Sequence, residues 1–336
     1  MIKEAIEIIS QKKDLSADAM RAVMEEIMTG KVQLNTIVSF LNALNLKGES
    51  VDELTAAVSV MRKHVTKISA EGAVVLDTCG TGGDNLGTFN ISTAAALVAA
   101  ASGITVAKHG NRSVSSRSGS ADILEALGVN ILIPKEKLEE CLVKTGIAFL
   151  FAPNLHPSMK YAMPARKKIG KRTMFNILGP LTNPAGAAYQ LVGVFDRKWT
   201  EPLARVLSNL GAKHAMVVHG ADGLDEISTT CATYVSQARD GKIKNYRIDP
   251  EELGIKRAAI EDLRGGEAAA NADIMLKLLK GMNGPIRDIV VLNAAAAIYV
   301  AEKAASIKEG ISLAADAIDS GKALKKLKML KECSNS

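Results

Sequence analysis

At Ala73 the spacing of apolar residues in this chain changes, and that change limits the fold more than any other feature. Up to about residue 68 apolar residues recur every three or four positions, as on helices with one buried face. Ile2, Ala5, Ile6 and Ile9 mark a first helix. Ser16 caps a second that runs through Met20, Val23, Met24 and Ile27 to a stop at Gly30. Ile37, Val38, Phe40, Leu41 and Leu44 mark a third, and Ser50-x-x-Glu53 is a capping box opening a fourth through Leu54, Val58 and Met61. After Ala73, strand-length runs at 74–76, 105–107, 129–133, 148–151, 191–195 and 215–218 alternate with helical stretches at 92–101, 121–127 and 201–209. This alternation predicts a mostly parallel sheet with helices on both faces. Helical periodicity returns at 268–278, 287–308 and 313–318. The expected architecture is an α/β fold: a small all-helical domain at 1–68, joined by helices within about 158–190, beside a larger α/β domain at 71–332.

Three turns at the ends of predicted strands carry chemistry. Gly80-Thr81-Gly82-Gly83-Asp84 follows the first strand, and glycines there let an anion approach bare N–H groups. The spacing matches neither G-x-G-x-x-G nor G-x-x-x-x-G-K-[ST], so neither a dinucleotide nor ATP is implied. Asp84 is placed to bind a sugar hydroxyl or a metal-bound water. Asn90-Ile91-Ser92-Thr93 then opens a helix, where Ser92 or Thr93 serves as an ordinary N-cap or as part of a phosphate cradle.

Lys108-His109-Gly110-Asn111-Arg112-Ser113 ends the second strand, and a lysine at the end of a buried strand is costly unless it meets an anion. Asp225-Glu226 follows a strand in a glycine-containing turn and suits a magnesium ion shared with a diphosphate. Taken singly, the glycines also describe a tight turn and the acidic pair a solvated one. Together the three turns describe a site for a phosphorylated, metal-bound polyanion.

The rest of the sequence narrows the class. With 336 residues, 47% of them hydrophobic and 4% aromatic, the chain has ample material for a core. Four cysteines without a C-x-x-C pair read as reduced, buried thiols of a cytoplasmic protein. The N-terminus lacks a signal-peptide pattern, and the longest uncharged stretch is broken by Gly, Asn, Ser and Thr, so no membrane association is expected. The net charge of +6 has two clusters behind it. One is Lys160, Arg166, Lys167, Lys168, Lys171 and Arg172. The other is the tail Lys322, Lys325, Lys326, Lys328 and Lys331, read as a solvated helical face. Such a charge suits either nucleic acid or a polyanionic substrate.

Six runs in order carry a resemblance along essentially the whole chain. They are Gly80-Thr81-Gly82-Gly83-Asp84, Asn90-Ile91-Ser92-Thr93, Lys108-His109-Gly110-Asn111-Arg112, Ser118-Gly119-Ser120-Ala121-Asp122, Asn176-Ile177-Leu178-Gly179-Pro180-Leu181-Thr182-Asn183-Pro184 and Asp225-Glu226. With them the sequence resembles the anthranilate phosphoribosyltransferases of tryptophan biosynthesis. The resemblance implies a nucleoside-phosphorylase-like fold, a homodimer paired through the helical domain, and Mg²⁺-dependent transfer of a phosphoribosyl group from phosphoribosyl diphosphate to anthranilate. It also implies roles. Gly80, Gly83, Asp84, Thr88, Asn90, Ile91, Ser92, Thr93, Lys108, His109, Gly110, Asn111, Arg112, Ser113, Val114, Ser115, Ser116 and Ser120 would hold phosphoribosyl diphosphate. Gly80, Asn111 and Arg166 would hold anthranilate, and Ser92, Asp225 and Glu226 would hold Mg²⁺. Lys108, Asn111 and Arg166 are the residues expected to act directly in catalysis, Arg166 offering a planar fork to a carboxylate.

Two rival readings remain at this level. One is a pyrimidine-nucleoside phosphorylase, disfavoured because its Lys-His-Ser-Thr-Gly-Gly type of glycine turn is absent and the Lys-His pair sits on the next loop. The other is a nucleic-acid-binding relative without activity. Carboxylates beside a phosphate path repel nucleic acid, so specific nucleic-acid binding is not expected.

Overall fold

Two apolar clusters organise the protein around a seven-stranded sheet: they take opposite faces at 191–194 and 215–218, while both faces at 106–107 and 147–151 belong to the larger one. The structure, a computed structural model, describes residues 1–70, 74–113 and 117–336. Four helices come first: α1 (Ile2–Ser10), α2 (Ala17–Met28), α3 (Leu34–Lys47) and α4 (Val51–Lys63). Their starts follow the sequence signals. The Ser16 side chain accepts from the Ala19 N–H, and Ser50 with Glu53 forms the reciprocal capping box. Glu53 is fully buried and also accepts from the Leu15 N–H and from Lys47, so one carboxylate ties three segments together.

The remaining elements are β1 (Val75–Asp77), α5 (Ile91–Ala101), β2 (Thr105–Gly110), α6 (Ser120–Ala126), α7 (Lys135–Thr145), β3 (Ile147–Phe151), α8 (Ala152–Leu155), α9 (Met159–Ile169), α10 (Phe175–Leu178), β4 (Tyr189–Gly193), α11 (Thr200–Asn209), β5 (His214–Gly220), β6 (Thr233–Arg239), β7 (Lys242–Ile248), α12 (Ala268–Leu279), α13 (Pro285–Val300), α14 (Ile307–Asp319) and α15 (Lys322–Asn335). The strand order is β3-β2-β1-β4-β5-β6-β7. The first five strands are parallel, while β5–β6 and β6–β7 are antiparallel. The chain builds outward from β1 in one direction to β3, then returns to the other side of β1 with β4. Open α/β sheets bind ligands at the carboxyl ends of the strands where the order reverses in this way. Here that place is the end of β1 and β4.

α9 leaves the sheet and packs on α2 and α3. Two expectations need correction: the helical stretch 287–308 is broken between Val300 and Ile307, and the run 129–133 takes another form. The run 129–133 is no strand: Val129, Ile131 and Ile133 are buried, but the Asn130 N–H goes to the Ser334 side chain on α15 instead of to a neighbouring strand. The hairpin β6–β7 was not anticipated, nor was α7. In the basic tail Lys322, Lys325, Lys328 and Lys331 are exposed, as a solvated helical face requires. α15 packs on α5 and α7, with Lys326 donating to the Thr145 carbonyl.

Candidate active site

The end of β4 is where the loops converge. Gly193 is the last residue of β4, and its carbonyl accepts from the Thr81 N–H at 2.8 Å. Its α-carbon has no room for a side chain, because a Cβ there would lie 1.5 Å from the Asp225 carbonyl oxygen. Gly193 therefore pins the glycine turn and the acidic turn against one another. Gly82 and Gly83 take left-handed φ values of 63° and 85°, as the glycine-rich spacing requires. Arg172 closes the far side of that turn: its guanidinium donates to the Gly83 carbonyl at 2.5 Å and stacks 3.8 Å over the Phe195 ring.

The acidic turn brings three carboxylates together. Asp225 faces Asp84, and Glu226 accepts from the Ser92 N–H at 3.1 Å, capping the first turn of α5. Asp225 and Glu226 retain some water-accessible surface but sit deep among protein atoms. Burial raises both well above the usual carboxylate range, and repulsion from Asp84 adds to it. Asp84 Oδ1 accepts from the Leu86 N–H, while among the described residues its buried Oδ2 meets no donor, only the facing Asp225 carboxyl. Carboxylates that repel one another across a buried gap suit a divalent cation that prefers oxygen ligands. Asp77, Cys79 and His109 also lie close together. The Asp77 oxygens are taken by the His109 N–H and the Asn183 amide, however, and burial pushes the Cys79 thiol far up, so this trio is a structural knot.

Lys108 answers the acidic turn from within β2. It is 3% exposed, and its ammonium donates to the Thr78 carbonyl, the Thr78 hydroxyl and Ser92 Oγ, each at 3.3 Å. Its charge also acts on Asp77 and Glu226, partly offsetting the burial that pushes Asp77 up to about 6. His109 is different. Its Nε2 meets His156 Nε2 at 3.0 Å in a buried pair, and burial lowers them to about 3 and about 4 respectively. His109 is neutral near pH 7 and brings no charge to a phosphate.

The other predicted residues surround the same turns. Gly110 leaves no space for a side chain, since a Cβ would press on Ser120 Oγ, which donates to the Asn111 carbonyl at 3.2 Å. Arg112 is occupied by Glu125, bidentately, and by Asp122. The Ser113 N–H goes to Asp122. Asn90 joins three segments, donating to the Ser118 carbonyl and accepting from Asn271. Ile91 is buried in the core, so only its backbone is available; Thr93 has a buried hydroxyl without a partner among the described residues. Thr88 bridges to Arg264, and Gly80 lies against the Gly193 carbonyl. Val114, Ser115 and Ser116 lie outside the described residues. Arg166 is half-buried on α9, 5.9 Å over the Phe175 ring, with Met163 Sδ as its polar contact.

The glycosyl transferase family a/b domain matches residues 72–324, and that family's helical bundle domain matches residues 3–65. Anthranilate phosphoribosyltransferase of Acetivibrio thermocellus is 53% identical over 336 residues, covering 100% of this chain and 97% of that protein. The one from Petrotoga mobilis is 51% identical over 335 residues, with the same coverage. The crystal structure of the Thermus thermophilus enzyme superposes with a TM-score of 0.94 at 42% identity, covering 99% of each chain. The chain belongs to the anthranilate phosphoribosyltransferase family. A more distant structure, the Saccharomyces cerevisiae anthranilate phosphoribosyltransferase in complex with PRPP and Mg, has a TM-score of 0.84 at 27% identity and covers 95% of this chain and 92% of that one.

Sequence reasoning passed over several residues that hold these turns and strands together. Asn183 was noted only within a motif, yet its amide bridges Asp77 and the Ala107 carbonyl at 2.7 and 2.8 Å, joining β1 to β2. Arg172 was counted as part of a basic cluster, and His156 and Gly193 carried no signal. Asn293, buried on α13, clamps the backbone of Ile227 just after the acidic pair. An asparagine amid alanines on an apolar helix was the one available clue.

Proposed function

We infer that the chain carries out the reaction its family is named for: Mg²⁺-dependent transfer of the phosphoribosyl group of phosphoribosyl diphosphate to the amine of anthranilate, releasing diphosphate. The observation that carries this reading is the gathering of Asp84, Asp225 and Glu226 against the Gly80–Gly83 turn, with the buried cation Lys108 acting on Glu226 from beside Ser92. Asp225 and Glu226, with Ser92, would hold the ion, which when bound neutralises the departing diphosphate. Lys108 holds positive charge at the strand end where that anion accumulates, and the open backbone of the glycine turn receives phosphate oxygens. Displacement at a ribose carbon needs little covalent help, so positioning and fixed charge supply most of the acceleration. Gly80, Asn111 and Arg166 would receive anthranilate, the guanidinium pairing with its carboxylate.

The relatives named above decide against a nucleoside phosphorylase, and the acidic trio is poorly suited to a nucleic-acid path. Residues 1–68 with helices from about 158–190 form the helical unit, and exposed Ile8, Leu34, Tyr161 and Met163 on α1, α3 and α9 support pairing of two copies through it. The four free thiols fit a reducing, cytoplasmic setting. Asp225→Asn with Glu226→Gln tests the metal assignment, since shape is nearly kept and charge removed. Melting should be preserved and Mg²⁺-dependent turnover should fall by orders of magnitude. Parental rates at limiting Mg²⁺ would overturn the assignment.

A further inference from the structure

Far from the acidic trio, Cys141 on α7 and Cys333 on α15 place their sulfurs 2.9 Å apart across 192 residues of sequence. Both are free thiols, Cys141 fully buried and Cys333 at the edge of the core with 9% exposure. Around them α15 is attached to α7 and the segment before it by short polar contacts. Lys326 donates to the Thr145 carbonyl, Lys137 to Ser336 Oγ at 2.9 Å, and the Asn130 N–H to Ser334 Oγ at 3.0 Å. Cysteines are common as isolated buried hydrophobes. Two in direct contact, on separate helices and held there by flanking contacts, make a preformed dithiol.

We propose that Cys141 and Cys333 are an oxidation site, a dithiol that closes to an intrachain disulfide and staples the terminal helix α15 to α7. The oxidant is a low-molecular-weight disulfide. Cys333, the more accessible, attacks one of its sulfurs as the thiolate, forming a mixed disulfide and releasing one small thiol. Cys141 then gives up its proton and attacks the Cys333 sulfur, forming the Sγ–Sγ bond and expelling the second small thiol. The protein loses two electrons and two protons, and the oxidant is reduced to two thiols. Burial and the neighbouring Cys333 push the Cys141 thiol up to about 12, which slows the closing step. The sulfurs need to close from 2.9 Å to a bond of about 2.0 Å. The staple has a structural consequence. α15 also packs on α5, so fixing it to α7 holds the helix whose first turn carries Ser92. A bond closing so long a loop constrains the unfolded chain strongly.

The full chain is incubated under native conditions with oxidised glutathione, then analysed by intact mass and non-reducing peptide mapping. A Cys141–Cys333 linked peptide, a mass lower by two hydrogens and reversal by dithiothreitol are expected, with Tm raised by on the order of 5 °C or more. Cys141→Ser should instead stop at a glutathione adduct on Cys333, and Cys333→Ser should give no link to Cys141. The proposal is overturned if the parent chain accumulates only adducts, if the linked peptides involve Cys79 or Cys231 instead, or if the linked form melts at the same temperature as the reduced one.

Discussion

Gly193→Ala is the sharpest probe of how the site is held. The added methyl would sit 1.5 Å from the Asp225 carbonyl oxygen, whereas a Cβ is essentially never found closer than 3.0 Å to such an atom. Something must move by about 1.5 Å. Gly193 is anchored in β4 by its parallel ladder to β5, whereas Asp225 sits in a turn, so the acidic turn is what yields. Asp225 and Glu226 would then leave the Gly80–Gly83 turn and the first turn of α5. A misplacement of about 1 Å costs on the order of 10²-fold in rate, or about 3 kcal/mol in the barrier. Crowding the turn should cost about 1–3 kcal/mol of stability, which a domain of ordinary stability survives. The assay is turnover at several Mg²⁺ concentrations, with thermal melting in parallel. A folded variant at least 10²-fold slower, with a raised Mg²⁺ requirement, is expected. A folded variant within threefold of the parent and with an unchanged Mg²⁺ requirement would refute the idea that the end of β4 fixes the acidic turn for catalysis.

Two further perturbations follow from the same geometry. Arg166→Ala should raise the KM for anthranilate tenfold or more, because a charge-assisted hydrogen bond contributes roughly 1.5–3 kcal/mol, with the KM for phosphoribosyl diphosphate changed far less; a selective rise in the second KM would reverse the assignment. His156 is held neutral in the fold at about 4 against an ordinary 6.5, so the unfolded chain takes up protons first as pH falls. Its contribution to stability is therefore intact above about pH 6.5 and lost progressively down to about pH 4, amounting to about 3 kcal/mol in all. His156→Gln should flatten the acid side of the stability curve in urea unfolding at pH 7.5, 6 and 5, and an unchanged slope would show that this histidine does not carry the effect.

Much of this arrangement is readable along the chain where local chemistry decides it. Ser16, Ser50 and Glu53 announce helix starts because caps are satisfied within a few residues. Lys108 is conspicuous because a cation in an apolar run demands an answer, and the structure supplies one in Thr78, Ser92 and Glu226. The β6–β7 hairpin was legible and went unread: Asp240-Gly241, with φ of 49° and 75°, is a two-residue hairpin turn between strands. The segment 129–133 alternates as a strand does, but a strand needs a neighbour, and alternation cannot say that α15 is there instead. Gly193, Asn183 and His156 were hidden for a related reason. Each acts on a residue far away in sequence, and nothing beside them in the chain records the encounter.

The reaction itself is tested most directly by anthranilate fluorescence. The protein, phosphoribosyl diphosphate and Mg²⁺ are mixed with anthranilate and the loss of fluorescence is followed. A rate proportional to protein concentration, abolished by chelating Mg²⁺ and by omitting phosphoribosyl diphosphate, is the predicted result. Anthranilate that persists at every protein concentration, with both partners supplied, would contradict the account.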